Sequence, residues 1–138
     1  MRKIVYAMIL GVAGLSVSSC RSLSSDVLAG EWDVVELNGT SITPSERTPF
    51  LGFDVENKTI YGFSGCNRLS GGLDLSAFLS GKSEFGNVAS TRMLCADDIY
   101  ENDFFTAFGK VSKQRYAKGK LLLMDKDDKV LMRLQKRK

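Results

Sequence analysis

The chain predicts a mainly β (α+β) domain: a small antiparallel barrel or curved sheet whose open side is covered by one helix. Three observations carry this. Short apolar or alternating runs recur from Leu28 to Gln135, separated by turn residues. A single stretch, Asp97 to Val111, repeats its apolar residues near every 3.6 positions. Just under 120 residues follow position 19, which suffices for one core and not two. No low-complexity tract or internal repeat interrupts them.

Leu28 to Leu37, with Trp32 inside it, reads as a strand closed by Asn38-Gly39, a strong tight-turn dipeptide. Thr40 to Pro49 holds both prolines and reads as a loop. Phe50 to Val55 and Thr59 to Phe63 read as strands joined by Glu56-Asn57-Lys58. Ser64-Gly65-Cys66-Asn67 and the return through Gly71-Gly72 follow. Leu73 to Leu75 and Glu84 to Val88 are short strand candidates, and Ser76 to Gly81 is ambiguous. In the helix, Asp98 suits the N-cap with Glu101 as its capping-box partner. Ile99, Phe104, Phe105, Phe108 and Val111 form its apolar face, read as core. Lys120 to Met124 and Val130 to Gln135 make a closing hairpin around Asp125-Lys126-Asp127-Asp128. Those acids lack calcium-loop spacing and read as a solvated turn.

Ahead of this body, Arg2 and Lys3 precede an almost wholly apolar run from Ile4 to Leu15. The run is too short to span ~30 Å of hydrocarbon and reads as the core of a signal peptide. Val17-Ser18-Ser19 before Cys20 resembles the lipobox of bacterial lipoproteins, with Val17 where leucine is usual. The resemblance implies a signal peptide over 1–19, cleavage before Cys20, diacylglycerol and palmitate on that cysteine, a lipidated linker over 20–26, and a domain over 27–138. The alternative is an ordinary signal cut nearby that leaves Cys20 a free or paired thiol. Each buried acyl methylene is worth ~0.8 kcal/mol, so two or three chains anchor almost permanently. Inner-membrane lipoproteins often carry aspartate after the cysteine. Arg21 stands here instead, which by the same resemblance implies the outer membrane, facing the periplasm.

Removing residues 1–19 takes away Arg2 and Lys3 and no acid, so the formal charge falls from +3 to +1. A near-neutral body is a poor match for nucleic acid. The expected partners are the membrane, through the lipid, and an envelope protein or cell-wall component.

With Cys20 used for lipid, Cys66 and Cys95 remain as a pair in an oxidising compartment. A disulfide is the simplest use of them, and two buried free thiols the alternative. Without histidine, a zinc site would lack its commonest partner.

Leu28-Ala29-Gly30-Glu31-Trp32, then Phe63-Ser64-Gly65-Cys66-Asn67, then Ala89-Ser90-Thr91-Arg92-Met93-Leu94-Cys95 resemble the META domain of HslJ-like proteins and many bacterial lipoproteins. Taken in order with the helix and final hairpin, they cover roughly Leu28 to Leu134. The resemblance implies a lipocalin-like antiparallel barrel with a helix, no established activity or ligand, and a general link to envelope stress and resistance to toxic compounds. Physically, Gly65 supplies a backbone geometry or close approach that a side chain would block. Asn67 can bond neighbouring backbone. Arg92 could pair with a carboxylate or cap carbonyls. The polar residues Asn67, Arg68, Thr91 and Arg92 either satisfy the loop junction or line a pocket beside the bridge. Trp32 reads as core.

Histidine is absent from the sequence, which rules out Ser-His-Asp and Cys-His sites, and no G-x-S-x-G or phosphate-loop motif occurs. We therefore expect no enzyme, catalytic residue, cofactor or metal. A tethered stress-response interaction module and a periplasmic carrier of small apolar ligands are the readings left, the first favoured.

Overall fold

The computed structural model describes residues 22–83 and 85–138, together with Gly11 and Gly14. The expected signal peptide, Cys20 and Glu84 lie outside the described residues.

The described chain forms nine strands and three short helices. In order these are α1 Ser25–Leu28, β1 Gly30–Leu37, β2 Thr40–Ser41, β3 Phe50–Asp54, β4 Thr59–Phe63, β5 Arg68–Gly72, α2 Leu75–Leu79, β6 Val88–Ser90, α3 Glu101–Phe108, β7 Lys113–Ala117, β8 Lys120–Met124 and β9 Val130–Lys136. All pairings are antiparallel, in the order β6-β5-β4-β3-β1-β9-β8-β7, with β2 beside β1.

The sheet is curved but does not close, so the curved-sheet alternative holds and the barrel does not. Its edges, β6 and β7, do not pair with each other. A strip after α2 meets β7 instead. Lys82 bridges Lys113, Ser83 N donates to Ser112 O at 3.0 Å, and Gln114 N donates to Gly81 O at 2.9 Å. The strip satisfies part of an edge that would otherwise template aggregation.

Alternation buries Trp32 and Val34 from β1, Leu51 and Phe53 from β3, Ile60 from β4, Leu121 and Leu123 from β8, and Met132 and Leu134 from β9. A bulge in β1 keeps this phase. Val34 faces Leu134, Glu36 faces Arg133 and Leu37 faces Met132, so Val35 is the extra residue that returns Leu37 to the core. On the outer face, Glu36 pairs with Arg133 at 3.2 Å, and Arg137 bonds Glu31 and Asp33 while lying 4.2 Å from the Phe50 ring centroid. α3 crosses the inner face over β1 and β9, and Phe104 is fully buried there. From α2, Phe78 packs on Phe53 at 5.1 Å between ring centroids.

Asn38-Gly39 forms the expected hairpin turn, with φ of 50° and 82°. The Asp54–Asn57 turn joins β3 to β4. Asn57 donates side-chain and backbone N–H groups to the Asp54 carboxylate, which holds that acid below its usual range. Its contribution is therefore present at neutral pH and is lost as acidification passes the folded-state pKa.

Several elements depart from expectation. β1 starts at Gly30, because residues 25–28 form a helical turn that Ser24 caps and whose Leu28 carbonyl accepts the Trp32 indole N–H at 2.8 Å. Leu23 is buried, so packing reaches back into the stretch read as linker. Thr40 and Ser41, read as loop, pair with β1. Leu73 to Leu75 is not a strand: Asp74 caps α2 by accepting Ala77 N at 3.0 Å. The strand expected over Glu84 to Val88 begins at Val88. β5 and β7 are strands where the sequence pattern predicts none. α3 is shorter than Asp97 to Val111 because Asp98 ties residues 98–101 into a turn and Gly109 follows Phe108.

Gly62 shows how closely neighbouring chains approach. A Cβ there would sit 2.5 Å from the Phe50 carbonyl oxygen, a backbone atom that cannot swing away. At Gly52 the obstacle is the Tyr61 ring, which is partly exposed and can rotate outward. We expect Gly62→Ala to lower the unfolding free energy by about 2–3 kcal/mol. Gly52→Ala should cost less than half as much; urea denaturation of both variants checks the ordering.

Candidate functional site

The motif residues converge where the 64–67 turn meets the loop leading into α3. Gly65 has φ +102°, a left-handed value that favours glycine, and a Cβ there would lie 3.3 Å from the Arg47 carbonyl. Cys66 and Cys95 form a disulfide, with Cα atoms 5.8 Å apart.

Asn67, nearly fully buried, is the hub of this junction. Its Oδ1 accepts Met93 N at 2.6 Å and the Thr91 hydroxyl at 2.9 Å. Its Nδ2 donates to Met93 O at 3.1 Å and to Glu101 Oε1 at 2.6 Å. The carboxamide thus exchanges both hydrogen bonds with the backbone of one residue, as a strand partner does. Thr91 Oγ1 also accepts Arg68 N at 3.0 Å, extending the β5–β6 pairing by one residue.

Ser64, fully buried, supports the hub from below. Its Oγ accepts Cys66 N at 3.3 Å and Asn67 N at 2.9 Å, and donates to Glu101 Oε1 at 3.0 Å. Asp98 Oδ1 accepts Tyr100 N at 3.0 Å and Glu101 N at 2.9 Å. Half of the expected capping box therefore forms. The other half does not, because Glu101 turns to Ser64 and Asn67 rather than back to Asp98. Sequence reading missed Ser64 and Glu101 as members of this junction. The only available signal was their presence within or just after the motifs, since a glutamate three residues after an aspartate reads first as a cap.

Of the polar residues expected here, Asn67 and Thr91 meet in one network, and Asn67, Thr91 and Arg92 also border an open surface hollow of about 310 Å³ beside the bridge. Arg68 lends its backbone to Thr91, and its guanidinium lies 5.8 Å from the Phe63 ring centroid. Arg92 is exposed and has no hydrogen bond or ion pair among the described residues, so it neither pairs with a carboxylate nor caps carbonyls. Trp32 lies apart in the core, edge-on to Tyr116 at 6.2 Å. Lys136 Nζ, 5.3 Å from the Trp32 ring centroid, also donates to the Val27 carbonyl at 2.6 Å and to that of Ala29, closing the end of α1.

Cys66 Sγ and carboxylate oxygens of Asp98 and Glu101 lie within 4.8 Å of one another. The sulfur is committed to the bridge, so this trio is not a ligand set in the oxidised protein.

The loop carries three exposed apolar side chains. Leu94 is fully exposed, Ile99 is 74% exposed and Met93 57%. Ile99 was expected on the buried helix face, but it precedes α3 and points to solvent. A groove of about 430 Å³ runs among Met93, Leu94, Ile99, Asp98 and Glu101.

Fold and junction define a class of small domain: an open antiparallel sheet crossed by a helix, with a disulfide fastening the pre-helix loop to a central turn. The chain belongs to the META domain family, which it matches over residues 25–138. It is similar in fold to a protein solved by NMR at 24% identity, with TM-score 0.61, covering 80% of this chain and 91% of that one. A second NMR structure, of a protein from Burkholderia xenovorans, is 19% identical with TM-score 0.59 and covers 81% and 85%. Among curated proteins none matches.

Proposed function

We propose that this META-domain protein is an exported lipoprotein, held by Cys20 at the bacterial outer membrane and facing the periplasm. There it acts as a non-catalytic interaction module in envelope stress or resistance. The observation that carries the reading is the Cys66–Cys95 disulfide, which persists in oxidising compartments and rarely in the cytosol. The lipobox-like residues before Cys20 supply the anchor. No helix among the described residues is long and apolar enough to cross a membrane.

Interior packing favours interaction over carriage. Trp32, Phe53, Phe78 and Phe104 fill the concave side of the sheet, each at most 1% exposed. One surface groove of about 580 Å³, bordered by Phe85 and Val111, offers the carrier reading its best place. Lys110, Asp125 and Lys126 also line it, and three charges are poor walls for an apolar ligand.

Fractionation tests the anchor. The parent protein is expected to stay with membranes through a high-salt wash, and Cys20→Ala to move wholly to the soluble fraction. A Cys20→Ala variant that still sediments contradicts the proposal.

A further inference from the structure

Resting on that reading, we propose that residues 93–103 dock a basic, partly apolar peptide segment of another protein, with a lysine or arginine side chain seated in the groove beside the disulfide.

Exposure and rigidity argue for a surface that is used. Met93, Leu94 and Ile99 put three large apolar side chains into water within seven residues, on backbone pinned by the bridge and by the two hydrogen bonds that Asn67 and the Met93 backbone exchange. Clustered exposed apolar residues on an ordered loop mark interaction sites.

Charge selects the occupant. Residues 92–103 contain four acids, Asp97, Asp98, Glu101 and Asp103, against Arg92 alone. The neighbouring Arg47 approaches Asp97, at 4.0 Å. Among the described residues no cation lies within ion-pair distance of Asp98 or Glu101, the two acids lining the groove. A long basic side chain matches both features. Its methylenes lie along Met93, Leu94 and Ile99, and its cation reaches the carboxylates.

Position and charge disfavour other occupants. Gly30, just after α1, pairs with Phe53, whereas Phe50 pairs with Phe63 beside the 64–67 turn. The tether therefore enters at one end of β3 and the patch lies at the other, about 10 Å away at ~3.4 Å per residue. An acidic rim also repels anionic lipid and a second copy of itself.

The test uses the full chain in nanodiscs of neutral phosphatidylcholine and an 18-residue amphipathic peptide of leucine and lysine only. We expect saturable binding that weakens about tenfold or more in Leu94→Ser, since burial of one leucine is lost. Asp97→Asn with Asp103→Asn, which thins the acidic rim and leaves the groove carboxylates of Asp98 and Glu101 in place, should weaken it by less than Leu94→Ser does and flatten its salt dependence. Both sites are exposed, so melting should not change. Equal binding by Leu94→Ser, or equal binding of a leucine–glutamate peptide, overturns the proposal. So does Leu94-dependent self-association, or adhesion to anionic vesicles in place of peptide binding. If the chain fails to enter nanodiscs, the anchoring reading fails instead, and the same titration in buffer still decides the docking.

Discussion

Reducing the Cys66–Cys95 bridge will lower the stability of the domain by about 3–4 kcal/mol, the larger of two effects expected at the junction. The bridge spans 29 residues, and the entropy of closing a loop of that length in the unfolded chain amounts to about this much. A loss of this size corresponds to a melting shift of roughly 10–20 °C for a domain this long. Calorimetry with and without reductant measures it. Cys66→Ser should melt where the reduced parent melts and be insensitive to reductant. A parent whose melting ignores reductant contradicts the bridge.

Asn67→Ala removes the hydrogen bonds to Thr91, Glu101 and both backbone groups of Met93 at once, leaving Glu101 Oε1 with the Ser64 hydroxyl alone and the Met93 backbone without its partner. Each buried group left unsatisfied costs about 1–3 kcal/mol, and water entering the vacated space recovers part of it. We expect a net loss of about 3 kcal/mol by urea denaturation. Asn67→Asp separates hydrogen bonding from shape. It keeps an acceptor for Met93 N but sets a second carboxylate at the 2.6 Å contact with Glu101. Two acids that close share a proton, so the folded-state pKa of one is raised. The variant should therefore approach the parent's stability at acidic pH and fall away as pH rises above roughly 4. A pH-independent deficit would mean that Asn67 and Glu101 do not touch.

Much of this fold was legible where burial imposes alternation. Trp32 and Val34, Leu51 and Phe53, and Leu121 and Leu123 are spaced as a half-buried strand requires. The unread strands lack that signal. Arg68 to Gly72 buries only Leu69, and Lys113 to Ala117 buries no residue fully. Each is strand because of what pairs beside it, which is long-range information. Barrel closure was equally unreadable, since it turns on whether β6 reaches β7. The bridge is legible from the sulfur count once Cys20 is set aside, since two cysteines then remain in the body. The hub was only half legible. Asn67 and Thr91 stood in motifs, but the role of Glu101 depends on the 64–67 turn lying within reach of α3.

The central claim is that the junction holds the 93–99 loop as a fixed surface, and amide hydrogen exchange at Met93 tests it most directly. In the oxidised parent, Met93 N–H donates to a buried carboxamide oxygen and should be protected like the amides of β4, although the residue itself is largely exposed. In Asn67→Ala that protection should vanish while β4 remains protected. A Met93 amide that exchanges in the parent as fast as in an unstructured peptide would contradict the account.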